Sequence, residues 1–461
     1  MIEWLNKYLL GAAVPVCLIS VGIFFGFELG WFHILHPIRT LKLALSGNRR
    51  RAFSALSLAL AGTLGVGNMV GVAGALAVGG CGAVFWMWVS ALFAMILKYA
   101  EIVLSVRHRR YDVNGGPHGS AMLYIKDVLT ERGFPRLGGA VAVVFALLLI
   151  LNALTMGGLL QVGAVTEAAE DTMSVPAPVC SGIMALLTLA VSVGGSKALI
   201  RLTDRVVPIM SAAVLLLSVV AIALRANEVP VALARIFSEA FEVRAAGGGI
   251  LGFLLSDAIR LGTMRGLVSN EAGCGTSPTA HAEANATSPA AQGIFGIFEV
   301  FVDTVLLCTL TALVIIVSGV EAEGGRLMSM TMNAYSSILG EWSEYLLTGA
   351  VFCFGLATVL CWSHYGAEGV VYITESSAAK RGFSILFCIT VLLGGIISSE
   401  AAWQSADLAI GLMTLINLSV LVLAEKEIAE ETRRALDIPV RMCYYRIRKA
   451  FFRLFKRDTC V

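Results

Sequence analysis

The strongest constraint on this chain is a series of long apolar stretches that recur along its whole length. A bilayer core is about 30 Å thick, so a helix needs roughly 20 apolar residues to cross it. Only 14% of the 461 residues are charged, whereas soluble domains carry roughly a quarter. The sequence therefore predicts an all-α polytopic membrane protein with 11 transmembrane helices, and it excludes a soluble enzyme, a disordered chain and a nucleic-acid binder. The eleven stretches lie at about 9–30, 52–79, 83–106, 139–166, 177–196, 206–224, 247–283, 290–318, 346–374, 383–399 and 403–424.

Positive charge is concentrated in alternate connections between these stretches. Segments 31–51, 107–136, 197–205 and 375–381 and the tail from residue 425 together hold 26 of the 34 Lys and Arg residues. Cytoplasmic loops of membrane proteins carry such an excess, and eleven helices place all five regions on one side. We therefore expect a plasma or inner membrane protein with its N-terminus outside and its C-terminus in the cytoplasm. The basic tail either lies on the lipid bilayer or is solvated.

The ten helices after the first divide into two halves of five. The chain then consists of an extra helix with a basic loop (1–51), a first repeat (52–224), an external connector (225–246), a second repeat (247–424) and a cytoplasmic tail (425–461). Because five is an odd number, two such halves insert with opposite topology. This is the inverted-repeat plan of many secondary transporters.

The first helix of each half contains an interruption rich in glycine and polar residues. The two interruptions are Gly62–Gly71 and Ser269–Pro278. Unwound backbone in a membrane is tolerated where it is buried in protein or lines a wet cavity, and its free carbonyls and N–H groups bind ions and anions. The glycines of the first segment have the alternative of simple helix packing. In the second segment, Ser277 followed by Pro278 predicts an N-cap and the start of a new half-helix.

Ionisable residues inside apolar stretches indicate function, because burying them is costly. Asp303 lies early in such a stretch without a basic neighbour, so it is the best candidate for an ion or proton site; a hydrogen-bonded structural carboxylate is the alternative. Glu271 lies in the second interruption, and Arg260 and Arg265 upstream predict a structural salt bridge for it. No nucleotide-binding motif or catalytic grouping is present in the sequence.

Other polar residues at membrane depth have two interpretations each. Lys98 and Glu101 lie three apart and predict an ion pair near the cytoplasmic end of their helix. Gln161 offers an amide to a polar ligand or to packing. Thr358 lies four residues before Trp362 and on the same helix face, where its hydroxyl either binds a ligand or bonds to its own helix.

Three segments carry the most specific motifs in the chain: Gly62–Glu101 with GTLGVGNMVG, Arg265–Ala284 with SNEAGCGTSP, and Gln292–Val314 with VDTVLLCTLTALV. In these segments, and over about 40–424, the sequence resembles the alanine or glycine:cation symporter family, also called sodium:alanine symporters. The resemblance implies a LeuT-like 5+5 inverted repeat with one extra N-terminal helix. It also implies a transporter rather than an enzyme, one that carries a small neutral amino acid of the alanine or glycine class inward with Na⁺ by alternating access.

The resemblance places the amino acid between the two interruptions, with further contacts from the fourth and ninth helices. The substrate-binding residues are expected to be Gly65, Gly67, Asn68, Gln161, Val268, Ser269, Asn270, Gly273 and Trp362. The Na⁺ site is expected to involve Ala61, Leu64 and Thr358, to which we add Asp303 as the buried carboxylate.

Two residues depart from the family pattern. The family usually has two adjacent hydroxyls in the ninth helix, where this chain has Ala357 and Thr358. It usually has an aromatic residue where this chain has Val268, which favours a broadened tolerance for larger side chains unless Met264 fills the space. The alternatives are a proton-coupled amino acid transporter in which Asp303 titrates, and a membrane channel or receptor.

Overall fold

The computed structural model of the protein describes residues 2–44, 60, 63–111, 116–194, 196–241, 257–283, 288–322, 325–397 and 399–436. The regular structure of these residues consists of helices, short helical turns and one hairpin. The hairpin has two strands of two residues each, β1 (Arg110–Tyr111) and β2 (Pro117–His118). The helices are α1 (Gly11–Glu28), α2 (Pro37–Ala44), α3 (Gly67–Gly79), α4 (Gly82–Arg107), α5 (Ala121–Glu131), α6 (Pro135–Met173), α7 (Ala177–Gly194), α8 (Ser196–Leu224), α9 (Val229–Glu239), α10 (Asp257–Asn270), α11 (Pro278–Glu283), α12 (Pro289–Ser318), α13 (Leu327–Leu339), α14 (Trp342–Thr374), α15 (Ser377–Leu393), α16 (Ser399–Leu423) and α17 (Glu425–Leu436).

Seven helices of the described part are long and apolar enough to cross a membrane: α1, α4, α6, α8, α12, α14 and α16. The other four apolar stretches contain shorter helices, namely α3, α7, the pair α10 and α11, and α15. The expectation of an all-helical, multi-pass membrane protein is confirmed. The start of the first repeat, at 52–59, lies outside the described residues.

Helix α4 is central because glycines let its neighbours approach closely. A Cβ atom on Gly262 of α10 would lie 2.4 Å from the Ala83 carbonyl oxygen, and one on Gly296 of α12 would lie 2.4 Å from Ile102. Small residues at such crossings allow backbones to pack together in a membrane. Helix α4 is therefore held between α10 and α12, and its polar side chains reach both.

The described chain contains four π-helical segments, and such segments often mark functional sites. One is Leu5–Leu10 before α1, and the other three are Gly67–Gly71 at the start of α3, Ala153–Leu160 within α6 and Phe301–Cys308 within α12. Asn68 and Asp303 lie inside the first and last of these three, and Gln161 directly follows the middle one. Three of the four widened turns thus coincide with residues that the sequence predicts to bind substrate or cation.

Segments that the charge pattern assigns to one side of the membrane meet in the structure. Arg107, at the end of α4, contacts Glu427 at 3.0 Å and Glu431 at 2.5 Å, so the 107–136 region joins the tail. On the other side, Arg326 contacts Asp171 at 2.6 Å and joins two acidic connections. These contacts therefore agree with the way in which the charge pattern groups the connections.

The first part of the predicted tail forms helix α17, which packs against α4 and is not a solvated segment. The buried Tyr99 hydroxyl of α4 lies 2.8 Å from the Thr432 hydroxyl of α17. His108 bridges two carboxylates, with Nδ1 3.1 Å from Asp127 and Nε2 3.0 Å from Glu427. Burial alone would lower the pKa of His108, but these hydrogen bonds outweigh it and raise the pKa above its usual range. Residues 437–461 lie outside the described part of the chain.

Candidate functional site

The predicted interruption of the second half is present between α10 and α11. Glu271, Gly273 and Gly275 have positive φ angles of 52°, 81° and 80°. Glycine adopts this conformation without strain, whereas another residue incurs about 1–2 kcal/mol. The Glu271 carboxylate is held there by the Thr276 hydroxyl at 2.7 Å. The predicted N-cap is wrong in one respect: α11 does begin at Pro278, but the Ser277 hydroxyl is buried without a hydrogen-bond partner in the described structure.

A buried polar cluster joins the two interruptions. The Asp303 carboxylate accepts a hydrogen bond from Asn68 Nδ2 at 2.7 Å and from Ser269 Oγ at 2.8 Å, and the neighbouring Thr304 hydroxyl donates to it at 2.8 Å. Asp303 and Thr304 are fully buried, and the other two side chains are nearly so. Asp303 on α12 therefore links the start of α3 to the end of α10.

The first interruption also places polar oxygens close together. Leu64, Gly65 and Val66 precede α3, and the Val66 N–H donates to Gln161 Oε1 at 3.2 Å. A Cβ atom on Gly65 would lie 2.7 Å from the Thr358 hydroxyl and 3.0 Å from Gln161 Oε1. Only glycine therefore permits this close approach of backbone to side chains.

Two of these buried oxygens, Thr358 Oγ1 and Asn68 Oδ1, have no hydrogen-bond partner among the described residues. An unpaired buried polar atom is costly, so such atoms suit the binding of an ion or ligand. Hard cations are bound by oxygen atoms of carboxylates, carbonyls and hydroxyls. Ala61, the other predicted carbonyl ligand beside Leu64, lies outside the described residues.

A small enclosed cavity lies between the interruptions. Its walls are Val66, Gly67, Val70, Met156, Leu160, Gln161, Val268 and Trp403. The wall that contains Val268 is completed by Met156 and Trp403, and Met264 is not among the lining residues. The alternative in which Met264 fills the space beside Val268 is therefore not supported by this lining.

A larger cavity of about 410 Å³ lies next to the small one. Val70, Leu160 and Trp403 line both cavities, so these three side chains form the partition between them. The larger cavity also contains Glu167, Glu170 and Arg326 from the acidic side. It forms a charged vestibule in front of the enclosed cavity.

Trp403 is held in this partition by a charged pair. The Arg265 guanidinium lies 4.3 Å from the Trp403 ring centroid, a cation–π distance, and it binds both oxygens of Asp407 at 3.0 Å each. The predicted salt bridge of Glu271 with the upstream arginines is thus wrong, since Arg260 contacts Asp257 at 2.8 Å. Arg265 contacts Asp407 instead.

Three of the predicted substrate residues make structural contacts. The Asn270 amide nitrogen donates to the Thr304 hydroxyl at 3.0 Å while its oxygen accepts the Ala272 N–H, and the Gly273 carbonyl accepts from Asn417. Trp362 is fully buried and packs so tightly on Gly157 that a Cβ there would lie 2.3 Å from it. Trp362 does not line the enclosed cavity, although its indole nitrogen has no partner within the described structure.

The expected ion pair between Lys98 and Glu101 is also wrong. Lys98 Nζ lies 3.0 Å from Glu299 and 2.7 Å from the Asn270 carbonyl oxygen, whereas Glu101 accepts from the Gly275 N–H at 3.0 Å and from Asn417 at 2.8 Å. The partners are distant in sequence, so spacing along one helix does not reveal them. A Lys and a Glu inside an apolar stretch are the sequence signal that this face of α4 has a role.

The fold and the site together define a multi-pass membrane protein in which two interrupted helices meet at a buried polar cluster beside a cavity. A family model described as the sodium:alanine symporter family matches residues 1–436. The chain is 33% identical to the sodium/alanine symporter AgcS of Methanococcus maripaludis, over 95% of this chain and 97% of that protein. It is 29% identical to the probable sodium/glutamine symporter GlnT of Bacillus subtilis, over 91% and 87%. A solved structure of a manganese transporter of Eremococcus coleocola aligns with a TM-score of 0.48 at 14% identity, over 82% of this chain and 77% of that one. The chain belongs to the sodium:alanine symporter family, whose members are transporters rather than enzymes.

Proposed function

We propose that this protein is a Na⁺-coupled symporter of a small neutral amino acid that works by alternating access. The observation that carries the proposal is the pairing of Asn68, from the first interruption, and Ser269, from the second, on the Asp303 carboxylate. The Asp303 carboxylate carries a negative charge that is buried between two interrupted helices, and a transported cation can neutralise that charge directly.

Two regions provide the oxygens that Na⁺ requires. Thr358 and the Leu64 carbonyl, with Ala61 as the further carbonyl ligand that the resemblance implies, form one candidate position, and Asp303 with the unpaired Asn68 oxygen forms another. A cation in this region draws the first interruption towards α14 and α12. The amino acid then contacts both interruptions at once, so Na⁺ favours the conformation that binds substrate.

The amino acid occupies the enclosed cavity between Gly67 and Val268, with Gln161 as the polar group on its wall. The unwound segments offer N–H groups to its carboxylate and carbonyls to its ammonium. The cavity as it stands has an accessible volume of only about 10 Å³, room for about one water, so even a small side chain requires Met156 or Trp403 to move aside. The two relatives are named for different substrates, alanine and glutamine, and the replacement of an aromatic residue by Val268 favours alanine-sized substrates with tolerance for somewhat larger ones.

The proposed membrane arrangement has eleven helices in the LeuT-like 5+5 plan, with the repeats at 52–224 and 247–424. The vestibule then opens outside, and α17 lies at the cytoplasmic face. A single cysteine introduced at Glu3 should react with an impermeant thiol reagent added to intact cells, with a cysteine at Glu430 of α17 as the internal control. Protection of position 3 together with labelling of position 430 would contradict this orientation.

The transport proposal is tested by uptake of radiolabelled alanine into liposomes with an imposed Na⁺ gradient. This uptake is compared with uptake driven by a proton gradient at equal Na⁺ concentrations on both sides. Unlabelled glycine, serine, leucine and glutamine are then tested as competitors. We expect accumulation only with the Na⁺ gradient, with glycine and serine as strong competitors. Accumulation driven by the proton gradient alone would establish the proton-coupled alternative, and no accumulation of any neutral amino acid would refute the proposal.

A further inference from the structure

Two residues of α4 hold the two ends of the second interruption. Lys98 Nζ donates to the carbonyl oxygen of Asn270, the last residue of α10, at 2.7 Å. Glu101 Oε2 accepts the N–H of Gly275, which lies just before α11, at 3.0 Å. Residues three apart share one face of a helix, so a single rigid surface of α4 contacts the backbone on both sides of the break.

The charges match the backbone groups that they contact. A helix C-terminus carries partial negative charge on its free carbonyls, so the ammonium matches the end of α10. The carboxylate accepts a backbone N–H donor of the break itself. Both side chains are fully buried, so neither contact competes with water.

The outer contacts of this pair keep both side chains in place. Lys98 is also bound by Glu299 of α12 at 3.0 Å, and Glu299 in turn contacts His281 of α11 at 3.1 Å. Glu101 is also bound by Asn417 of α16, whose amide donates to the Gly273 carbonyl as well. The break is thus fixed from α4, α12 and α16 at once.

The same break carries residues of the proposed transport site. Ser269, which donates to Asp303, directly precedes Asn270, whose amide contacts Thr304. We propose that Lys98 and Glu101 are positioning residues that set the geometry of the 271–277 break and thereby the affinity for the transported amino acid. This inference rests on the proposed function for its effect on transport, although the clamp itself is a contact that can be tested without transport.

A merely structural Lys98–Glu299 ion pair makes a different prediction from a clamp on the backbone. The variant Lys98→Met/Glu299→Gln removes both charges and keeps an amide oxygen for His281, but it leaves the Asn270 carbonyl without its donor. A structural pair would tolerate this change, since its two members lose their charges together. A clamp would not, and the loss of a hydrogen bond to a charged donor corresponds to a rise in KM of about tenfold.

The other end of the clamp has its own matched variants. Glu101→Gln keeps an oxygen that accepts the Gly275 N–H, whereas Glu101→Leu does not. We expect KM for the amino acid to stay within about twofold of wild type in the first and to rise about tenfold in the second. Lys380→Met/Glu368→Gln removes a Lys–Glu pair of 3.1 Å away from the break and serves as the control that leaves KM unchanged.

A second readout measures the break directly. Cys274 lies inside it with no exposed surface, and its thiol donates to the Glu271 carbonyl at 3.1 Å. Alkylation of purified full-length protein by N-ethylmaleimide, resolved by peptide mass spectrometry, should be about tenfold faster at Cys274 in both disruptive variants. Cys180 of α7, which is also buried, is the internal reference and should keep its wild-type rate.

The outcomes separate the clamp from the proposed function. Wild-type protein that accumulates no neutral amino acid would refute the function, and the Cys274 rates would still test the clamp. Wild-type Cys274 rates in Glu101→Leu and in the Lys98/Glu299 variant would overturn the inference. If the double variant exposes Cys180 as well, it has unfolded, and the comparison of Glu101→Leu with Glu101→Gln then tests the clamp: equal Cys274 rates in these two variants would overturn it.

Discussion

The substitution Asp303→Asn removes one charge from the centre of the proposed site and leaves the shape of the side chain unchanged. One carboxylate oxygen accepts from the Asn68 amide, and the other accepts from the hydroxyls of Ser269 and Thr304. The new amide can point its oxygen at Asn68 and its NH₂ at the two hydroxyl oxygens, which are able to accept as well as donate. The variant is therefore expected to fold with the cluster intact.

The size of the effect follows from where the cation lies. A cation bound directly by Asp303, about 4 Å away, loses about 4 kcal/mol at an effective dielectric constant of about 20, a thousandfold change in affinity. Gly65 faces Thr358 and lies three residues before Asn68, so a cation at Thr358 is roughly 8 Å from Asp303 if the chain advances between 1.5 and 3.3 Å per residue. The loss is then about 2 kcal/mol, or about thirtyfold.

The assay is uptake of labelled alanine into liposomes over a range of Na⁺ concentrations with the amino acid held constant. Glu271→Gln is the matched control, because it removes an almost equally buried carboxylate that lies in the second interruption and not on α12. A thirtyfold rise in half-saturating Na⁺ indicates a neighbouring charge, and a thousandfold rise or complete loss indicates a direct ligand. An unchanged Na⁺ requirement in an Asp303→Asn protein of wild-type thermal stability would show that Asp303 has a structural role only.

Three further predictions concern the cavity and the contacts of α17. Val268→Phe adds several carbons, each worth about 0.8 kcal/mol when buried, so we expect competition by serine and larger amino acids to weaken relative to glycine; an unchanged profile would show that this position does not shape the cavity. Trp403→Ala opens the partition to the vestibule and should raise Na⁺ flux without amino acid severalfold, whereas Trp342→Ala, at an exposed helix end, should not; equal fluxes would exclude a closing role. The raised pKa of His108 means that its charged contact with Glu427 is fully present below about pH 6.5 and is lost as the pH rises through the raised value. Corrected for the intrinsic rise of amide exchange with pH, the hydrogen-exchange protection of α17 should fall over that range in wild type and stay constant in His108→Gln. Constant protection in wild type would contradict the reasoning.

The sequence predicts the helical architecture well because each membrane helix is determined by its own apolar length. The stretch at 83–106 corresponds to α4, and that at 290–318 corresponds to α12, within one residue at each end. The second interruption is also visible in the sequence, since Gly273 and Gly275 supply the positive φ angles that a chain reversal requires. These are local properties, and composition is enough to reveal them.

Partners of buried charges are not local, and sequence spacing does not identify them. Proximity along the chain pairs Lys98 with Glu101 and Glu271 with Arg265. In a bundle, however, the nearest charge comes from another helix, as Glu299 does for Lys98 and Asp407 does for Arg265. Trp403 escapes prediction for the same reason, because nothing near it in sequence indicates that it meets a cavity wall made by α3, α6 and α10.

The asymmetry between the two interruptions suggests how coupling is divided between them. The backbone of the second is held on both sides by the charged groups of Lys98 and Glu101, although the Ser277 hydroxyl there has no partner in the described structure. Around the first, the Thr358 and Asn68 oxygens have no partner among the described residues, and the Asn68 amide contacts the Asp303 carboxylate. A cation gains most where the protein has not already supplied the compensating group, because there its binding replaces an unsatisfied atom rather than an existing hydrogen bond. Na⁺ should therefore order the first interruption and leave the second nearly unchanged. Hydrogen exchange with and without Na⁺ tests this directly: protection gained at 63–71 with none at 271–277 would support the division, and protection gained only at 271–277 would reverse it.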